Sequence, residues 1–180
     1  MKESALKKGA MTTVCSFAPV ENPQARVLIL GSMPGVASLT AGEYYAHPRN
    51  AFWRILGDIA GATPDLPYPE RLQRLRAHGL ALWDVLQSCE RPGSLDADIV
   101  PDSMLANDFA GFLAGHRHIE RIVFNGATAE QSFRRNVLPG LDANGLATGL
   151  TLLRLPSTSP AHAGMPYERK LALWREALSR

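Results

Sequence analysis

Four short apolar runs separated by stretches of helical period constrain this chain more than any other feature. The runs are Ala25 to Gly31 (ARVLILG), Leu80 to Val85 (LALWDV), His118 to Asn125 (HIERIVFN) and Leu150 to Leu155 (LTLLRL). Each is too short for a core helix and rich in residues that suit a buried strand. From Asn50 or Ala51 onward, Phe52, Trp53, Ile55, Leu56 and Ile59 recur at helical spacing. Pro69 to Ala77, Met104 to Ala114, Ala127 to Val137 and Tyr167 to Leu178 are the other predicted helices. Strands alternating with helices need crossover connections. The expected fold is therefore a three-layer α/β/α sandwich around a short, mostly parallel sheet of about four strands. Residues 88–103 (SCERPGSLDADIVPDS) have turn formers and no period, and are expected to be a long loop. Residues 1–22 read as a flexible lead-in and 23–180 as one domain.

Composition narrows the function classes. With 46% hydrophobic and 20% charged residues the chain can bury a real core and is not a disordered segment. A net charge of +2 does not demand a polyanionic partner, though it allows a local basic face. Cys15 and Cys89 have neither CxxC nor Cys/His ligand spacing, so free thiols are expected and no metal site. The amino-terminal residues lack the apolar core of a signal peptide, and no window approaches a membrane span. A cytoplasmic protein is the expectation.

In open α/β sheets, ligands bind beyond the carboxyl ends of the strands. Three unusual segments fall there together: Gly31-Ser32-Met33-Pro34-Gly35, Asn125-Gly126, and Leu155 to His162. The glycines of the first permit close backbone approach to a ligand, or simply a tight turn. It is neither a phosphate-binding P-loop nor a dinucleotide fingerprint. Between Tyr44 and Trp53, aromatics alternate with His47, Arg49 and Asn50, a mixture able to stack on a base and hydrogen-bond to it. Trp53 reads more simply as core, and Asn50 as a helix cap. Asn125 offers a planar donor–acceptor set at a strand end, or an Asx turn. The hydroxyls of Ser157, Thr158 and Ser159 suit phosphate contacts, or a plain surface loop.

Taken together, GSMPG followed by HPRNAFW resembles the first motif of the uracil-DNA glycosylase superfamily, and LPSTS resembles its second. Leu82 to Val85, Arg91 to Asp96 and Phe124 to Gly126 make the pattern most similar to the hypoxanthine-DNA glycosylase branch, over residues 25 to 178. The resemblance implies a DNA-repair enzyme that flips a deaminated base out of DNA and hydrolyses its N-glycosidic bond, as a monomer and without a cofactor. It implies Asn50 as the catalytic residue that positions water, because Met33 stands where mismatch-specific relatives have an asparagine. It implies a base pocket of Phe52, Asn125, Met33 and Tyr45, with Phe52 stacking on the base. DNA contacts are expected from Pro34, Gly35, Ser157, Thr158, Ser159 and His162. Leu155 replaces the histidine of classical uracil enzymes, which counts against efficient uracil release. The competing readings are a mismatch-specific uracil-DNA glycosylase, a nucleic-acid-binding module without catalysis, and an enzyme of free nucleosides.

Overall fold

The computed structural model describes residues 12–179. In chain order the elements are β1 (Thr13–Cys15), β2 (Val27–Gly31), α1 (Val36–Ala41), α2 (Phe52–Ala60), α3 (Tyr68–Ala77), β3 (Leu80–Asp84), β4 (Leu86–Glu90) and β5 (Leu105–Ala106). They continue with α4 (Phe109–Gly115), β6 (Arg121–Asn125), α5 (Ala127–Asn136), α6 (Leu138–Ala143), β7 (Thr151–Leu155) and α7 (Tyr167–Leu178). The four apolar runs form one parallel sheet in the order β3-β2-β6-β7.

Side chains alternate along β2, and both faces are covered. Leu28 and Leu30 point into a core shared with Phe109, Phe133 and Leu141 of α4, α5 and α6. Val27 and Ile29 point the other way, into a core shared with Ile55, Leu75 and Trp174 of α2, α3 and α7. The three layers are thus helices, sheet, helices, as the alternation of elements requires.

Three expectations need correction. Residues 88–103 are not all loop, because β4 extends to Glu90 and pairs antiparallel with both β1 and β5. β4 reads LQSCE, and its inward positions Leu86 and Cys89 are too few to raise an apolar signal. The helix expected from Met104 starts only at Phe109, since Leu105–Ala106 is drawn into that second sheet. Asp108 sets the start, its Oδ1 accepting from the Gly111 N–H at 2.9 Å. Finally, residues 12–22 are not a free lead-in. Thr13–Cys15 pair with β4, and Val20 bridges to Leu82. Residues 1–11 of that expected flexible segment lie outside the described residues.

Candidate active site

The carboxyl ends of β2, β3 and β6 open into a cleft of about 780 Å³. Its walls come from stretches far apart in sequence: the turn after β2, residues 44–50, Asp84, residues 94–97, residues 125–128, and the loop after β7. The three segments singled out by topology do converge here, and each wall has a physical reason for its residues.

The turn after β2 begins at Gly31, directly opposite Asp84 in the parallel register. A Cβ on Gly31 would lie 2.5 Å from Asp84 Oδ1 and 2.9 Å from Tyr45 Oη, so no other residue fits without displacing one of them. Residues 91–96 brace the turn. The buried Arg91 donates to the carbonyls of Pro34 and Gly93. Ser94 Oγ accepts from the Val36 N–H at 2.9 Å, and Ser32 Oγ donates to Asp96 Oδ1 at 2.7 Å. Met33 lines the cleft but is otherwise packed into the α4–α6 core.

The second wall corrects an expectation. Phe52 is fully buried and does not line the cleft. Tyr45 covers it, with ring centroids 3.9 Å apart and planes 21° from parallel, while Trp53 and Trp174 meet Phe52 edge-on. Tyr45 is the one non-glycine residue among those described with positive φ, at 55°, and that left-handed backbone folds its ring back over Phe52. The tyrosines at the cleft are Tyr45, with Phe52 as its backing, and the largely buried Tyr44. Asn50 stands just before the helix cap, half-buried, at the cleft wall. Its Oδ1 accepts from the Phe52 N–H at 3.0 Å, which fixes which way the carboxamide faces.

The third wall shifts two assigned roles. Asn125 reaches the cleft, but it spends one N–H on Thr158 Oγ1 (2.8 Å) and one acceptor position on the Thr158 N–H (2.9 Å). Thr158 is itself 1% exposed, and its carbonyl accepts from the Ala51 N–H at 2.9 Å. It is a tie between three segments, its N–H and one hydroxyl lone pair taken by Asn125, where a free DNA contact was expected. Ser157, Ser159 and His162 remain at the rim, the first two half-buried and the last exposed. Pro34 and Gly35 also line the cleft, the first buried and the second half-buried.

Four residues at this site were given no site role from the sequence: Asp84, Arg91 and Asp96, which lie in segments that carry the family resemblance, and Lys170. Asp84 ends β3 at the ligand edge, one residue short of the end of the expected run, so the rule that applies to Asn125 applies to it as well. It is 3% exposed, and burial together with the charge of Asp96 pushes its carboxyl up to about 7, with Arg91 pulling the other way. The Tyr45 hydroxyl is raised well above its ordinary value, chiefly by burial; it faces Asn125 and completes no hydrogen bond. Lys170 is buried beneath the loop after β7, where its Nζ donates to the carbonyls of Ser157 (2.7 Å) and His162 (3.1 Å). Burial lowers its pKa, and it does not line the cleft. Nothing in its spacing announces that role.

Among the described residues no group of three or more His, Cys, Asp or Glu is placed to hold a metal ion. No described helix is long and apolar enough to cross a membrane.

The sequence profile of the uracil DNA glycosylase superfamily matches residues 18–178. The chain belongs to the uracil DNA glycosylase superfamily. A hypoxanthine DNA glycosylase from Methanosarcina barkeri is 33% identical over 165 residues, covering 91% of this chain and 97% of that one. A hypoxanthine DNA glycosylase from Methanosarcina acetivorans is 35% identical over 63% of this chain and 71% of that one. A G/U mismatch-specific uracil DNA glycosylase from Schizosaccharomyces pombe is 32% identical over 57% of this chain but only 29% of its own length. The superfamily fold is equally direct. The solution NMR structure of a Methanosarcina acetivorans protein, provisionally named a uracil DNA glycosylase, superposes with a TM-score of 0.73 at 30% identity, covering 94% of this chain and 100% of that one.

Proposed function

We propose that this superfamily member is a monofunctional DNA glycosylase that releases hypoxanthine from deoxyinosine in DNA and leaves an abasic site. The observation that carries the reading is the cleft itself: an aromatic face at Tyr45, flanked by the carboxamides of Asn50 and Asn125, at the carboxyl edge of the sheet. The near full-length similarity to a hypoxanthine DNA glycosylase supports it against the uracil alternative, whose named relative matches over a smaller part of the chain. The enzyme acts as a monomer on deaminated DNA in the cytoplasm.

The chemistry follows from the placement of residues. A flipped base lies against Tyr45, at a flipping cost of a few kcal/mol that is lower at a mispair. Breaking the C1′–N9 bond leads, so positive charge develops on the sugar and negative charge on the base. Asn50, its carboxamide fixed by the Phe52 N–H, holds water toward the sugar. Lys170 takes no part as a nucleophile, because its amine is spent on two carbonyls behind the loop.

An incision assay over duplexes carrying hypoxanthine, uracil or xanthine tests the proposal. Hypoxanthine is expected to be released fastest. Uracil release at an equal or greater rate would replace this reading with the mismatch-uracil one. Binding without alkali-labile ends would make the protein a binding module. Tyr45→Ala removes the stacking surface, and base–aromatic stacking is worth about 1–3 kcal/mol. Release is expected to slow by roughly ten- to a hundredfold, whereas Tyr45→Phe should keep stacking and most of the rate.

A further inference from the structure

We propose that Asp84 is the proton donor to the departing purine. The proposal rests on the glycosylase reading above and adds a catalytic residue to it.

The first observation is an unsatisfied group. Asp84 is 3% exposed, lines the cleft, and its buried Oδ2 meets no hydrogen-bond donor. Buried carboxylates that serve the scaffold are paired or hydrogen-bonded. The nearby guanidinium of Arg91 directs Nε and Nη2 at the carbonyls of Gly93 and Pro34, and its buried Nη1 makes no hydrogen bond to the carboxyl either. The second observation is position. Asp84 Oδ1 and Tyr45 Oη both crowd the same side of Gly31, so the carboxyl sits beside the edge of the aromatic face. A base lying flat on that face presents its in-plane lone pairs toward the strand ends.

The third observation is charge. The groups that act on Asp84 are Asp96, tied to Ser32, then Arg91, and the phenols of Tyr44 and Tyr45. Both phenols are neutral, their hydroxyls raised chiefly by burial. Burial and the like charge of Asp96 outweigh Arg91, so the carboxyl holds a proton up to a pH of about 7. An acid of that strength is matched to proton transfer near neutrality.

The step balances as follows. The C1′–N9 bond breaks and its electron pair goes to the base. The Asp84 proton passes to a ring nitrogen of the base, N7 for hypoxanthine, so the base leaves neutral. Water held by Asn50 bonds to C1′, and the proton it sheds returns through solvent to the Asp84 carboxylate.

The test is the pH profile of single-turnover hypoxanthine release from a deoxyinosine duplex. The acid form is the donor, so the rate is full below a pH of about 7 and falls as pH rises through that value. Asp84→Asn is expected to lose about a hundredfold at low pH and to abolish the falling limb, while still binding the duplex within about threefold of wild type. Asp96→Asn removes a like charge, which lowers the Asp84 pKa and moves the limb to lower pH. A flat wild-type profile overturns the proposal, as does an Asp84→Asn variant that keeps the wild-type limb at any rate. Should Asp84→Asn fail to fold, the wild-type and Asp96→Asn profiles decide alone. A wild type that releases no base at any pH is a different result, and sinks the glycosylase reading instead.

Discussion

Asn50→Ala is expected to cut the rate of base release from a deoxyinosine duplex by about a hundredfold or more, the scale of losing a positioned reactant. The carboxamide is held by one bond, from the Phe52 N–H to Oδ1 at 3.0 Å. That bond leaves the second lone pair of the oxygen and both N–H groups to act in the cleft. Because Asn50 lies outside the helix, its loss removes a turn contact of about 1 kcal/mol and leaves the core intact. The melting temperature should therefore fall by only a few degrees while the single-turnover rate collapses. Asn50→Asp provides the control, since a carboxylate keeps the acceptor and can also take a proton from water. It should restore much of the rate. Should Asn50→Ala release hypoxanthine within threefold of wild type, water is positioned by another group.

Gly126→Ala is expected to be nearly as damaging, by a different route. Gly126 joins β6 to α5 at φ 98° and ψ 172°, a conformation essentially reserved for glycine. A Cβ there would stand 3.0 Å from Ser157 Cβ, inside the loop that closes the cleft. Strain of this kind costs about 1–3 kcal/mol. The displaced loop also pulls on Thr158, and hence on Asn125 and Ala51. Release should slow at least tenfold, and the melting temperature should drop. Gly140→Ala, with open space around it, should change neither property for the worse. Wild-type kinetics in Gly126→Ala would show that the loop tolerates movement.

Much of this architecture is legible in the sequence, for a reason that particular elements make plain. β2 and β6 are buried on both faces, so their residues are apolar almost without break and stand out. β4 has one buried face, two inward residues and polar neighbours, and nothing in its composition separates it from a loop. The start of α4 was encoded all the same, in Asp108, but the apolar residues before it draw attention away.

The site divides along similar lines. Topology alone brings the ends of β2 and β6 and the loop after β7 to one edge, which is why those segments group together from the sequence. Orientation is what spacing cannot supply. Tyr45 and Phe52 are both aromatics in one motif, and only the left-handed backbone at Tyr45 decides which covers the other. Likewise Asn125 and Thr158 each look like free polar groups until the structure pairs them with one another.

The residues that line the cleft all lie between Gly31 and His162. The loop that completes it nevertheless hangs from α7: Lys170 grips the carbonyls of Ser157 and His162, and Trp174 Nε1 donates to that of Pro156 at 3.0 Å. The last helix is in effect a keystone. During synthesis every cleft residue leaves the ribosome before the strut that fixes its final wall. The final wall of the cleft is therefore held by residues that follow every lining residue in the chain.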